Sequence, residues 1–134
     1  MADASPILVA VAGAHLTGGP LNHELTSRGA TLVRATTTAP VYRMYALATE
    51  PPKPGLVRVA DGDAAGGPIE VEVWSLDAEG FGTFVDGIPA PLAIGRTLLA
   101  DGSDVAGFVC EPIAIEGATE ITAFGGWRSY LSTA

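Results

Sequence analysis

Residues 7–22 read ILVAVAGAHLTGGPLN, an apolar run followed by a loop with three glycines. The apolar residues 7–12 predict a buried strand. Residues 21–29 predict a short helix, because Pro20 suits a first helical position and Gly29 suits the residue just past the last turn. A strand, a glycine loop and a helix start gather backbone N–H groups around one point, and this arrangement favours an anion there.

His15 lies inside this loop, and the ordinary pKa of histidine lies near neutrality, so its side chain can donate a proton at physiological pH. The stretch therefore predicts an anion site beside a proton donor. The alternative is purely structural: the glycines form a tight turn and His15 satisfies a backbone carbonyl. The glycine spacing matches neither G-x-x-x-x-G-K-[ST] nor G-x-G-x-x-G, so a nucleotide phosphate is a poor candidate.

Length and composition favour one domain, residues 1–134, with its core over about residues 7–131. Hydrophobic residues make up 48% of the chain and charged residues 16%, which predicts a compact fold with an apolar surface patch. We therefore expect a homodimer or a complex with a partner protein. The net charge of −8 disfavours nucleic acid and acidic membrane surfaces as partners.

Cysteine usage and hydropathy set the expected chemistry and compartment. Cys110, the single cysteine, cannot form an internal disulfide, and no metal-binding cysteine spacing occurs in the sequence. We expect neither a metal nor a cofactor. The sequence has no basic leader and no apolar run of membrane-spanning length, so we expect a cytoplasmic protein.

The rest of the chain predicts short strands joined by turns, with two or three short helices. Alternation of apolar and polar residues over 69–74 indicates a strand. Asp77 suits a helix N-cap, and the pair Asp101-Gly102 suits a hairpin turn. The prolines of residues 50–55 predict a stiff loop. Together these elements predict an α+β fold of mostly antiparallel or mixed strands.

Several motifs occur in one order along the chain. They are GAHLTG at 13–18 with PLN at 20–22, TAP at 38–40 with YR at 42–43, KPGLVR at 53–58, EVEVW at 70–74, IPAPL at 88–92, GF at 107–108 with Glu111, and ITAFGGWR at 121–128. Together they resemble the C-terminal domain of allophanate hydrolase over nearly the whole chain, from about Ile7 to Leu131. In allophanate hydrolase and urea amidolyase this module follows an amidase domain with Ser-Ser-Lys catalytic residues, of which the present sequence has no counterpart.

The resemblance implies a gamma-glutamylcyclotransferase-like fold, a small mixed β-barrel with a ligand pocket at one end. It also implies a role downstream of an amidase in urea degradation and nitrogen metabolism. That role is decarboxylation, with C–N cleavage, of N-carboxycarbamate or a similar small dianion. The family histidine that matches His15 is tied to this step, and a group with a pKa near neutrality can deliver the proton that the nitrogen needs. We accordingly expect His15 to be catalytic.

The expected binding residues are residues of the loop and the scarce cations. Backbone amides and one or two cations suit a small dicarboxylate-like ligand. Lys53 is the only lysine and Arg128 follows two glycines, which let backbone approach a ligand closely; a solvated side chain is the alternative for Lys53. The full set of expected substrate-binding residues is Gly13, Ala14, Leu16, Thr17, Asn22, Tyr45, Lys53, Arg58 and Arg128.

Two carboxylates are candidate general bases. Glu79 lies in a segment that resembles the one from which cyclotransferases take their base. Glu70 shares a strand face with Glu72, as a paired acid–base set would. In each case the alternative is a solvated surface carboxylate. The cyclotransferase loop Tyr-Gly-Ser-x-Leu is Ala12-Gly13-Ala14-His15-Leu16 here, without the tyrosine and the serine.

Two other functions stay open beside decarboxylation. One is a non-catalytic assembly or binding module that dimerises or docks an amidase-type hydrolase. The other is a gamma-glutamylcyclotransferase-like enzyme. Fold alone does not decide among the three, since one fold hosts unrelated functions.

Overall fold

The computed structural model describes residues 5–133. Within this range the chain forms eight strands, three α-helices and two 3-10 turns. The strands are β1 Ile7–Val11, β2 Thr31–Thr37, β3 Tyr42–Leu47, β4 Lys53–Arg58, β5 Glu70–Leu76, β6 Leu92–Leu98, β7 Asp104–Cys110 and β8 Thr119–Glu120. The helices are α1 His23–Thr26, α2 Ala78–Asp86 and α3 Trp127–Leu131, and the 3-10 turns are Pro112–Ile115 and Thr122–Phe124.

The strands form two sheets. The larger has the order β2-β5-β1-β7-β6, with β1 antiparallel to β5 and parallel to β7. The smaller is antiparallel, with the order β4-β3-β8. A single bridge between Thr38 and Leu99 joins the ends of the two edge strands β2 and β6. The predicted α+β class with mixed strands and short helices is confirmed, but the described strands form these two sheets and no closed barrel.

The core is built around β5, an interior strand of the larger sheet that is buried on both faces. Val71 and Val73 are buried on one face, as the alternation predicts. Glu72 and Trp74 on the other face are buried as well. The expectation of a solvated face is therefore wrong for Glu72, because the glycine loop and α3 cover it, whereas Glu70 is exposed.

Two local predictions are wrong. The first helix, α1, begins at His23 instead of Pro20, because the preceding residues bond back to the loop, with the Leu21 amide donating to the Ala14 carbonyl at 2.8 Å. The segment 50–55 is not a loop throughout. Its second half begins β4, where Lys53 pairs with Leu47 of β3. Proline is compatible with this strand because β4 lies at a sheet edge.

The predicted N-cap and hairpin are confirmed. Asp77 Oδ1 accepts a hydrogen bond of 2.6 Å from the Gly80 amide at the start of α2. Strands β6 and β7 pair antiparallel around a turn in which Gly102 has a φ of +89°, a conformation that favours glycine. No helix within residues 5–133 is both long and apolar enough to cross a membrane.

Candidate functional site

The loop after β1 is held in one shape by its own hydrogen bonds. The Leu16 amide donates to the Gly13 carbonyl at 3.0 Å, and the Gly19 amide donates to the Leu16 carbonyl at 2.8 Å. The Asn22 side chain donates to the His15 carbonyl at 2.9 Å. Asn22, expected to contact substrate, therefore fixes the backbone of the histidine.

His15 is buried, with only 6% of its surface exposed. Its ring stacks on Phe108, with 5.1 Å between centroids, and meets the edge of Phe84 at 5.3 Å. Nε2 lies 2.7 Å from Oε1 of Glu24, the second residue of α1. Because the carboxylate holds Nε2, the other ring nitrogen, Nδ1, is left for a ligand.

The pKa of His15 lies below its ordinary value. Burial lowers it most, the hydrogen bond and charge of Glu24 raise it in part, and the positive charge of Lys53 lowers it further. At neutral pH the unliganded imidazole is therefore mostly neutral. An anion arriving beside Nδ1 reverses this balance, because it stabilises the imidazolium.

Lys53 is a buried cation without a partner. It is the first residue of β4 and only 6% exposed. Within residues 5–133 it makes neither a hydrogen bond nor an ion pair. Since no fully enclosed polar atom lacks a hydrogen-bond partner within these residues, the ammonium is open to the cavities that the residue lines. Lys53 is thus ready to receive an anion from outside the chain.

Two adjoining cavities meet at His15 and Lys53, which line both. The inner cavity has a volume of about 20 Å³, room for one water-sized group, and its walls are mostly apolar. The outer cavity, about 180 Å³, is also lined by Glu24 and Glu50. The pair of cavities can accept a small ligand that reaches inward with one end.

Part of the predicted backbone cradle is present. The amides of Leu16 and Thr17 are engaged within the protein. Those of Gly13, Ala14 and His15 make no hydrogen bond in the described part of the chain, and all three residues line the inner cavity. Successive free N–H groups of this kind form anion-binding concavities.

Arg128 lies elsewhere and lines neither cavity. Its Nη2 donates to the Thr17 carbonyl at 2.7 Å and to Glu72 Oε2 at 3.3 Å. The amide and hydroxyl of Thr17 donate to Glu72 Oε1 at 2.8 and 3.0 Å. Burial raises the pKa of Glu72, but hydrogen bonds from Thr17, Trp74 and Arg128 outweigh it and hold that pKa below its ordinary value. Arg128 and Thr17 thus anchor the loop instead of lining the cavities.

The remaining candidates are not brought to the cavities. Tyr45 is buried in a small separate cluster behind the cavity wall. Arg58 lies 3.9 Å from Asp61 at the surface. Leu16 lines a different cavity beside Arg128. The candidate bases Glu79 and Glu70 are both exposed and line neither cavity.

Sequence reasoning missed four residues that matter here: Glu24, Glu72, Thr97 and Phe108 as the ring partner of His15. Two motifs, EVEVW at 70–74 and Gly107-Phe108, contain Glu72 and Phe108, but neither motif indicates the contacts that these residues make. Glu24 and Thr97 carry no pattern that distinguishes them from surface or strand residues. No group of three or more metal-ligating side chains occurs within residues 5–133. The arrangement places a cation and unpaired backbone amides beside a histidine that can transfer a proton, a combination of groups suited to a small anion.

Comparisons with known proteins identify the family and the fold of this chain. A family model described as allophanate hydrolase C-terminal domain matches residues 7–132. Urea amidolyase from Saccharomyces cerevisiae is 41% identical over 129 residues, covering 93% of this chain and 7% of that protein. The solved structure of Kluyveromyces lactis allophanate hydrolase has a TM-score of 0.90 and 38% identity, over 96% of this chain and 21% of that one. A uropathogenic E. coli-specific protein has a TM-score of 0.86 and 37% identity, over 96% of this chain and 97% of that one.

The chain therefore spans a small part of the first two relatives and nearly all of the third. The resemblance stated from the motifs is confirmed, and so is the fold that it implies, apart from the closure of the barrel.

Proposed function

We propose that this chain, which belongs to the allophanate hydrolase C-terminal domain family, binds a small dianion between His15 and Lys53 and promotes its decarboxylation. The observation that carries the proposal is the ammonium of Lys53, which has no partner within residues 5–133 although the residue is buried, and which lies with His15 on the same two cavities. An anion beside this cation stabilises it, because little solvent reaches a charge at a largely buried position. The proposed substrate is N-carboxycarbamate or a similar small dianion.

The reaction needs one proton. In N-carboxycarbamate a single nitrogen carries two carboxylates. The C–N bond to one of them breaks, the electron pair of that bond stays on nitrogen, and the carboxylate leaves as CO2. The nitrogen takes up one proton, and carbamate is the second product. Without that proton the leaving group is a nitrogen anion, so a general acid at this nitrogen lowers the barrier.

His15 supplies the proton through Nδ1, since Glu24 occupies Nε2 at 2.7 Å. The incoming dianion raises the pKa of the imidazole and so loads Nδ1 with a proton in the bound state. Lys53 and the amides of Gly13 and Ala14 hold the carboxylates, while the contacts of Asn22, Thr17 and Arg128 keep the loop in place.

The test is the release of CO2 from allophanate by an amidase domain that lacks its own C-terminal module, with and without this chain. We expect the wild-type chain to accelerate CO2 release. His15→Asn should reduce that acceleration by about a hundredfold or more, because asparagine forms hydrogen bonds but delivers no proton at neutral pH.

His23→Asn is the matched control, since His23 is exposed on α1 and lines neither cavity. If the wild-type chain leaves CO2 release unchanged, the decarboxylation proposal fails. If His15→Asn accelerates it as the wild type does, the general acid is another group.

A second candidate function, an assembly module, is favoured by the edge strand β2. Residues 31–35 of this strand are all exposed, and they include Leu32 at 46% and Val33 at 50%. Exposed edge strands with apolar side chains pair readily with other chains. We propose a homodimer, or docking on an amidase-type hydrolase of the kind to which the module is fused in its relatives.

A further inference from the structure

Thr97 of β6 is a buried residue whose hydroxyl finds no hydrogen-bond partner within residues 5–133. The residue is 2% exposed and lines the inner cavity with His15 and Lys53. Within residues 5–133 its hydroxyl makes no hydrogen bond, and since no fully enclosed polar atom lacks a partner, this oxygen faces the cavity. Gly107 of the neighbouring strand leaves the space for it, because a Cβ at that position would overlap Thr97 Oγ1.

Another buried threonine shows what a structural hydroxyl does in this fold. Thr38 is fully buried, its hydroxyl donates to the Ala39 carbonyl at 2.8 Å, and it accepts from the Ile69 amide at 3.0 Å. A buried hydroxyl without such bonds destabilises the folded state. Packing alone would favour valine at position 97, which has the same shape. Packing within the fold therefore does not explain why position 97 carries a hydroxyl.

We infer that Thr97 is a ligand-binding residue whose hydroxyl donates a hydrogen bond to the inner carboxylate of the bound dianion. The inference rests on the proposed function and deepens it, because it assigns the inner cavity to one end of the ligand. The cavity of about 20 Å³ has room for one water-sized group, so the part of the ligand that enters it is a carboxylate oxygen. The other carboxylate stays in the outer cavity, which Lys53 lines as well, while Gly13 and Ala14 line the inner cavity with Thr97. The ligand class is a dianion with its carboxylates one atom apart.

The test compares Thr97→Val, which removes the hydroxyl and keeps the shape, with Thr97→Ser, which keeps the hydroxyl. The probe is malonate, whose affinity is measured by calorimetry, and each variant's Tm is measured without ligand. A hydrogen bond to a charged group corresponds to an affinity change of about 10- to 100-fold, which is the expected loss in Thr97→Val. Thr97→Ser should stay within about threefold of wild type, since the donor remains.

The Tm separates a binding role from a structural one. Thr97→Val should melt at the wild-type temperature or above it, because the hydroxyl that is removed makes no hydrogen bond within residues 5–133. The control Thr38→Val should melt lower and keep its malonate affinity, since its hydroxyl is bonded within the core.

Each outcome has one meaning. Equal malonate affinity for Thr97→Val and wild type overturns the role of Thr97 and leaves the decarboxylation proposal standing. A lower Tm of Thr97→Val, comparable to that of Thr38→Val, also overturns it. Absence of malonate binding by the wild-type chain overturns both. Loss of affinity in Thr97→Val, in a chain that does not accelerate CO2 release, supports the binding role and rejects the decarboxylation.

Discussion

Replacing Glu72 should destabilise the protein more than replacing any other carboxylate on β5. Its carboxylate accepts hydrogen bonds from the Thr17 amide and hydroxyl at 2.8 and 3.0 Å and from Trp74 Nε1 at 3.2 Å. It also accepts one from Arg128 Nη2 at 3.3 Å, but the Arg128 side chain is 56% exposed, so we count little for this pair. Removing the carboxylate leaves two donors, the Thr17 amide and the Trp74 ring N–H, without their acceptor.

The magnitude follows from these bonds. At about 1–1.5 kcal/mol for each of the two orphaned donors, Glu72→Leu should lower the free energy of unfolding by about 2–3 kcal/mol. Unfolding a chain of 134 residues has an entropy that converts this loss into a fall in Tm of about 10 °C. Glu72→Gln keeps one acceptor oxygen and should lose about half as much.

The effect depends on pH in a defined direction. The folded-state pKa of Glu72 lies below 4.5, its unperturbed value. The carboxylate therefore contributes stability that is fully present above about pH 4.5 and is lost as the pH falls through the folded-state pKa. The difference between wild type and Glu72→Gln should be constant near neutrality and shrink below that pH.

Urea denaturation followed by circular dichroism, at pH 7 and at two acidic pH values, measures both quantities. Glu70→Gln is the control, because Glu70 lies on the same strand and is exposed; its change should stay within about 0.5 kcal/mol. A loss below about 0.5 kcal/mol in Glu72→Gln, or a difference that persists unchanged in acid, would refute the anchoring role of this carboxylate.

Three further predictions concern the cavities and the surface. Lys53→Met should weaken malonate binding by about a hundredfold while the Tm stays equal or rises, as measured by calorimetry and thermal denaturation; Arg58→Met, outside the cavities, should change neither by much. When malonate binds near pH 6.5, His15 should take up a proton, so the binding enthalpy measured by calorimetry should vary with the ionisation enthalpy of the buffer. The affinity for malonate should fall as the pH rises through the bound-state pKa of His15, and a binding enthalpy that is the same in all buffers contradicts this. Sedimentation at micromolar concentration should show a dimer, and the substitution Val33→Lys should dissociate it. If the wild-type chain is a monomer and also does not bind an amidase domain, the assembly role is ruled out.

Local patterns in the sequence were sufficient for the elements around β1. The apolar run, the glycine loop and the helix that follows need only nearby residues, and so did the N-cap Asp77. The loop histidine and the lone lysine were identified on the same local grounds, and the structure brings them together on shared cavities. In both cases the informative feature was a residue type that is scarce in this chain.

Long-range contacts explain what could not be predicted. In the sequence, Glu72 is one of the polar residues of an alternating strand. Its side chain is buried because Thr17 and Arg128, which are 55 and 56 residues away along the chain, pack against it and form hydrogen bonds with it. Arg128 was assigned to substrate because it is a cation near glycines. Its partner Thr17, 111 residues distant, shows that it holds the loop from outside. Thr97 could not be identified from the sequence, because the environment of its hydroxyl depends on Gly107 of the neighbouring strand β7.

The charge pattern of the whole chain argues that the site evolved for an anion. The chain has seven cationic side chains and fifteen carboxylates, so there are more than enough carboxylates to pair with every cation. All six arginines use one: Arg28 bonds the Glu24 carbonyl, and the other five face a carboxylate, Arg34 with Asp101, Arg43 with Glu120, Arg58 with Asp61, Arg96 with Asp104 and Arg128 with Glu72. Lys53 is more buried than the arginines and is the one cation that, within residues 5–133, faces no oxygen partner. Because carboxylates outnumber cations in this chain, its composition does not explain why the most buried cation lacks a partner within residues 5–133. On the proposed function, the carboxylate that completes it comes from the ligand.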